Sequence, residues 1–287
     1  VKRQQFLLAS VGVVLFCLLF FFARTIPVKK DNTPSNDGNQ GSSPGKTINF
    51  QQILDASQAK LRPDQQAYLN SLQNAVVRGD VQSQQLQAYR QISSFWKDSV
   101  KNGFLPYIYY TGKIGELENS EKNLTFAAQL LLENCRELDD QALKTWMAVQ
   151  AREFFQVALK LDPGNDSTKI GLGATYIFAG SANDPQELMK GIQQILEVSR
   201  KDSNNMFAQF MLGLGGAVSG QFDKAAERLN RVVAHDPENL EAILKIAEIR
   251  EQQGQKQEAI GWYEKAKPLI GNPDVVKEIN KRINSLQ

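Results

Sequence analysis

The sequence predicts an all-α fold, a solenoid of antiparallel helix hairpins, on three observations. Residues recur at a distance of 34: Gly220, Ala225, Leu229 and Val232 are followed by Gly254, Ala259, Tyr263 and Ala266, and Leu212-Gly213 by Ile246-Ala247. A two-helix unit of that length cannot bury its own apolar face, so copies must stack. From Ile48 onward the apolar residues follow a period of 3.6, and no convincing alternating strand interrupts them. Small residues, among them Gly213, Gly215 and Gly216, stand where each would weaken an isolated helix by about 1 kcal/mol relative to Ala. Their use is close approach between neighbouring helices.

The chain opens with a short basic stretch, residues 1–5, which carries Lys2 and Arg3. Residues 6–23, FLLASVGVVLFCLLFFFA, contain no charge. As a helix they span about 27 Å, close to a bilayer core of about 30 Å, and they read as a single-pass transmembrane anchor. A secretory signal peptide is the competing reading. The run exceeds the usual apolar region of about 7–15 residues, and Phe21-Phe22-Ala23 lacks the small residue a cleavage site requires. Positive charges nearly balance across the segment, with Lys2 and Arg3 before it and Arg24, Lys29 and Lys30 after it. The basic start favours a cytoplasmic N-terminus and a body outside. Residues 24–47, rich in Asn, Ser, Gly and Pro, read as a flexible linker that keeps the body within a few tens of ångströms of the bilayer, by a scaling of about 5–6 Å × √n.

Charge sets a further bound. Five of the 33 cations and two of the 31 acids precede residue 46, leaving 28 against 29. A near-neutral body carries no nucleic-acid footprint. Tyr107, Tyr109 and Tyr110, without a basic groove around them, read as packing residues and not as a base-stacking platform.

Residues 48–139 read as divergent N-terminal hairpins. Pro63 opens one helix, and Gly79-Asp80 closes it and caps the next. That next helix, from Asp80 to about Asn102, carries Leu86, Tyr89, Ile92, Trp96 and Val100 on one apolar side. Helices follow over 106–118, where Gly112 and Gly115 lower the propensity, over 120–138 with Ser120 as N-cap, and over 140–161 with Asp140 as N-cap. Residues 140–271 read as the regular repeats. Gly191, Ile195 and Val198 precede Ala225, Leu229 and Val232 by 34, whereas Gly173 and Gly180 precede Gly213 and Gly220 by 40, so the loop over 181–187 holds a six-residue insertion. Residues 272–287 start at Asn272-Pro273 and place Val276, Ile279, Ile283 and Leu286 on one side, as a polar-backed capping helix should.

These positions resemble the tetratricopeptide repeat family. The pattern of a small residue on the first helix, Gly at the turn, then Ala, a bulky residue and a small one before Pro is matched by Ala225, Leu229, Val232 and Pro237, and again by Ala259, Tyr263 and Ala266. It departs at Gln209 and Gly216, and at Ile243 and Arg250, where the family has Trp and Tyr. The resemblance implies a right-handed superhelix whose first helices line a concave groove for a protein or peptide partner. It places Ile170, Ala174, Ile177, Phe178, Phe207, Phe210, Leu214 and Val218 on that lining. Either the chain's own N-terminal helices or a partner's amphipathic segment covers so apolar a surface.

Chemistry is sparse. His235, the single histidine, ends a helix where a cation complements the C-terminal carbonyls, and no second histidine exists to build a zinc site. The runs Gly171-Leu172-Gly173 and Gly213 to Gly216 follow no strand and lack the lysine of a phosphate loop, so they read as helix contacts. No cofactor or metal is expected. The leading expectation is a non-enzymatic, membrane-anchored adaptor or assembly scaffold in a bacterial inner membrane, its body periplasmic, with a holdase chaperone as the alternative. An enzyme using Cys135 is the alternative of another class.

Overall fold

The computed structural model describes residues 48–78, 81–101, 103–136, 138–179 and 185–287. The apolar run 6–23, the linker 24–47, the Gly79-Asp80 junction and most of the 181–187 insertion lie outside the described residues. Among those residues no helix is long and apolar enough to cross a membrane.

Thirteen α-helices and no strand make up the described residues: α1 Phe50–Gln58, α2 Pro63–Arg78, α3 Gln82–Asp98, α4 Phe104–Glu118, α5 Glu121–Cys135, α6 Gln141–Leu161, α7 Asp166–Phe178, α8 Pro185–Lys201, α9 Met206–Val218, α10 Phe222–His235, α11 Leu240–Gln252, α12 Lys256–Ala266 and α13 Pro273–Leu286. A short 3₁₀ turn, Lys267–Leu269, follows α12. Helices pair in sequence order as α3/α4, α5/α6, α7/α8, α9/α10 and α11/α12, and each hairpin packs on the next. The helices α5, α7, α9 and α11 also touch one another, whereas their partners α6, α8, α10 and α12 have at most marginal mutual contact. Hairpins that meet along one edge and splay along the other must curve, and α5, α7, α9 and α11 form the inner side. The pairing of α5 with α6 carries this arrangement upstream of residue 140.

The turns between hairpins repeat one chemistry. Asn165, Asn205 and Asn239 are the N-caps of α7, α9 and α11, and their side chains accept from the backbone N–H groups of Thr168, Ala208 and Ala242 at 3.0, 2.9 and 3.0 Å. Three residues before each cap stands an aspartate, Asp162, Asp202 or Asp236, whose Oδ1 accepts from the N–H of Gly164, Asn204 or Glu238. Each such cap stabilises a helix start by about 1 kcal/mol. Within the last two hairpins the turn is made by Gly220 and Gly254, whose φ angles of 73° and 74° lie in the region open to glycine.

Packing explains the helical glycines. A Cβ on Gly173 would sit 2.6 Å from Ile195 Cγ1 and 2.7 Å from the Gly191 carbonyl oxygen, and one on Gly213 would sit 2.6 Å from Leu229 Cγ. Helix α7 thus rests almost backbone to backbone on α8, and α9 receives the Leu229 side chain of α10 directly against its backbone. The same reason holds together α4, which runs through both of its low-propensity glycines: Gly112 faces the Phe154 ring, and Gly115 faces Leu124. Tertiary contact outweighs a propensity cost of about 1 kcal/mol per glycine. The helix also begins two residues before Pro106, at Phe104, and α3 stops at Asp98, four residues short of Asn102.

Gln209, one of the departures from the repeat pattern, is 1% exposed and fully engaged. Its Nε2 donates to Ser199 Oγ at 3.1 Å and to the Ser203 carbonyl at 2.9 Å, and its Oε1 accepts from Arg228 Nη1 at 2.8 Å. A buried amide satisfied on both ends ties α8, α9 and α10 together where an aromatic ring would otherwise fill the space. Gly216, the second departure, lets Ala225 approach to 3.1 Å of where its Cβ would be.

The N-terminal end is aromatic. Phe50 of α1 stacks on Tyr109 and lies against Tyr110 and Trp146, so the tyrosine cluster is packing, with the Tyr110 hydroxyl pushed up to about 12 chiefly by burial. At the other end Ile283 and Leu286 of α13 bury against α12, with Val276 and Ile279 half-buried.

Two alanine substitutions separate packing from propensity. Gly173→Ala forces the α7/α8 backbones apart and lowers stability by about 1–3 kcal/mol. Gly261, exposed in α12 with open space around it, gains about 0.5–1 kcal/mol as Ala. Urea unfolding followed by helical circular dichroism measures both, and shifts of the same sign contradict the packing account.

Candidate functional site

The inner helices leave two cavities along the concave side. The first, about 410 Å³, lies among α5, α7 and α9 and is lined by Gln129, Leu132, Glu133, Arg136, Ser167, Phe207, Phe210 and Met211. The second, about 280 Å³, is lined by Arg136, Phe178, Leu214, Ala217 and Val218 together with Glu241, Leu244, Lys245 and Glu248 of α11.

Five of the residues placed on the lining from sequence therefore face these cavities: Phe207 and Phe210 the first, Phe178, Leu214 and Val218 the second. Val218 is 50% exposed and Phe210 9%. Ile170, Ala174 and Ile177 line neither cavity and are buried in the core. Ile177 shows why, because its Cδ1 and Ile192 fill the space beside Gly215, at 3.0 and 3.2 Å from a Cβ placed there. The contact of α7 with α9 consumes that face. Helix α5 supplies one wall of the first cavity without filling it, and α1 packs on α4 instead of on the inner face of α7 or α9.

Polar side chains are arranged around the apolar ones. Arg136, just past the end of α5, donates from Nη1 to Glu241 Oε1 at 2.8 Å across 105 residues of chain, and its guanidinium lies 5.9 Å from the centre of the Phe210 ring. Lys245 pairs with Glu248 one turn further along α11. Glu251 accepts from Tyr263 Oη at 3.0 Å and from Arg282 Nε at 2.9 Å. Burial, and then this bond to a carboxylate, pushes the Tyr263 hydroxyl up to about 12. These contacts border a third, more polar cavity of about 480 Å³ that includes Glu278 and Ile279. Arg136 carried no signal in the repeat pattern, since it follows the last turn of a helix outside the regular copies.

The residues singled out for chemistry are placed structurally. Cys135 is fully buried, its Sγ donates to the Leu132 carbonyl at 3.2 Å, and burial pushes the thiol up to about 11. His235 is exposed in the last turn of α10. Both glycine runs lie inside α7 and α9 as helix contacts. Among the described residues no group of three or more His, Cys, Asp or Glu side chains is placed to hold a metal ion.

Residues 207–273 match the family model described as tetratricopeptide repeat. The match spans α9 to α12, where the 34-residue period is undisturbed. Among solved structures the chain is similar to MamA residues 41 to the end from Desulfovibrio magneticus RS-1, at 18% identity over 67% of this chain and 96% of that one, with a TM-score of 0.45. It is similar to YrrB, titled a TPR protein with an unusual peptide-binding site, at 15% identity over 74% and 99% of the two chains, with a TM-score of 0.43. A third is TTC0263, a thermophilic TPR protein in Thermus thermophilus, at 18% identity over 62% and 98%, with a TM-score of 0.42. No curated protein matches the chain.

Thiol labelling checks the reading of Cys135. In a Cys17→Ser background at pH 8, a maleimide modifies Cys135 only at the rate of unfolding, because the site is closed and the thiol is protonated well above its ordinary range. Rapid modification of the folded chain contradicts this.

Proposed function

We propose that this chain is a non-enzymatic adaptor that holds a segment of a partner protein on the concave side of its tetratricopeptide-like hairpins. One observation carries the reading: large apolar side chains, Phe207, Phe210, Phe178, Leu214 and Val218, border two adjoining cavities on the inner helices. Val218 is exposed, Phe178 and Phe207 are half-buried, and Phe210 and Leu214 form the buried floor, and a groove of this kind suits an extended or helical segment inserting apolar anchors. An enzymatic reading through Cys135 lacks a usable nucleophile, since the thiol is buried and held protonated.

The proposal includes a membrane tether. The uncharged run 6–23, followed by a polar linker, supports anchoring in a bacterial inner membrane with the hairpins on the periplasmic side. A tether raises the local concentration of the hairpins around membrane partners without any new contact.

Site-specific photo-crosslinking in cells tests the groove. A crosslinker at Val218 yields a discrete adduct, and one at exposed Arg231 of α10, on the outer layer, does not. Adducts at both positions, or at Arg231 alone, contradict the proposal. For the tether, protease added to spheroplasts digests the hairpins. Protection until the membrane is lysed reverses the orientation.

A further inference from the structure

A groove of about 470 Å³ opens between α2 and α3, and none of its residues lines the concave cavities. Its floor is Phe95, 5% exposed, and its wall is Tyr68, 52% exposed. The two rings lie 5.9 Å apart, tilted by 59° and not stacked. Four side chains of α3 face the groove, Gln87, Gln91, Ser94 and Asp98. Their spacing of four, three and four sets them in one row along the helix. All four are exposed, and none has a hydrogen-bonded partner among the described residues. Two contacts brace the groove. Gln65 Nε2 of α2 donates to the Ser99 carbonyl at 2.9 Å, and Arg90 pairs with Glu118 of α4.

We infer that this groove binds a neutral saccharide, with one ring against Tyr68 and its hydroxyl groups on Gln87, Gln91, Ser94 and Asp98. Other occupants meet too little. An apolar anchor has a single exposed apolar side chain to pack on, since Phe95 is covered. A strongly charged ligand meets no net field: Glu118 already answers the Arg90 charge, and Asp98 is one exposed carboxylate screened by water and salt. A saccharide uses what is present. Its hydroxyl groups both donate and accept, as do the amides of Gln87 and Gln91 and the hydroxyl of Ser94, while the two oxygens of Asp98 accept. The C–H groups on one face of a pyranose ring carry partial positive charge, which the negative face of an exposed tyrosine attracts. The volume falls within the range of about 300–1,000 Å³ that small-ligand sites occupy.

Calorimetric titration of neutral oligosaccharides of glucose and of N-acetylglucosamine tests this, using the full chain in a detergent without a sugar headgroup. At least one series binds saturably, with a Kd in the millimolar range or tighter. Tyr68→Ala weakens that binding about tenfold or more, Tyr68→Phe keeps it within about twofold, and Gln91→Ala weakens it about threefold or more. Val218→Ser, on the concave face, leaves it unchanged. No saturable binding of either series up to about 10 mM, or binding indifferent to Tyr68→Ala or to Gln91→Ala, overturns the inference. Tighter binding of an acidic oligosaccharide than of its neutral counterpart overturns the ligand class. Should Tyr68→Ala fail to fold, Gln91→Ala, a surface change on α3, decides alone. The adaptor reading is untouched by any of these results, because the groove shares no residue with the concave cavities.

Discussion

Backbone-to-backbone approach at small residues is the constraint on which the rest of this molecule depends. At Gly173 and Gly191 the carbonyl of each glycine lies within 2.7 Å of where the other's Cβ would be, so any side chain at either position separates α7 from α8. The next hairpin meets the same demand differently, with Gly213 receiving Leu229 and Gly216 receiving Ala225. Contacts this close put the fully buried Ile195 and Leu229 at the centre of each hairpin. A side chain of that size contributes about 1.5–3 kcal/mol when buried. That gain offsets the cost of placing glycine in a helix interior, about 1 kcal/mol each.

From close hairpins comes curvature, and from curvature the concave face. Contact between hairpins concentrates on α5, α7, α9 and α11, so one layer is compressed and the other spread. The compressed layer absorbs Ile170, Ala174 and Ile177 into the core, yet it leaves the ends of α7 and α9 incompletely covered. There the structure places Arg136 against Glu241, two side chains separated by 105 residues in sequence. A partly exposed pair of this kind contributes about 1 kcal/mol at most. It is therefore too weak to define the curvature. The geometry is set by the glycines and not by this polar contact.

Much of this was legible in the sequence, and the residues show why. The spacing that relates Ala225, Leu229 and Val232 to Ala259, Tyr263 and Ala266 is a backbone property repeated in register, so it survives side-chain change. The offset of 40 between Gly173 and Gly213 recurs in the caps Asn165 and Asn205, and the offset of 34 recurs in Asn205 and Asn239. The Asp-x-x-Asn turn at 162, 202 and 236 was present as a pattern and marks the three junctions that precede α7, α9 and α11. Helix α4 ran against local propensity because Phe154, far along the chain in α6, needs the space at Gly112. The lining was only half legible for a related reason. Helical periodicity separates apolar from polar faces, but it does not say which part of an all-apolar helix faces a neighbour and which faces a cavity. For Ile177 that depends on Gly215 and Ile192, and for Arg136 on Glu241, contacts that no local pattern encodes.

The central claim is that a partner segment lies along the inner helices and nowhere else. Hydrogen–deuterium exchange of the full chain, alone and with a bound segment, tests it most directly. The account predicts added protection over residues 129–136, 207–218 and 241–248 and none over α8, α10 or α12. Protection confined to the outer helices contradicts it.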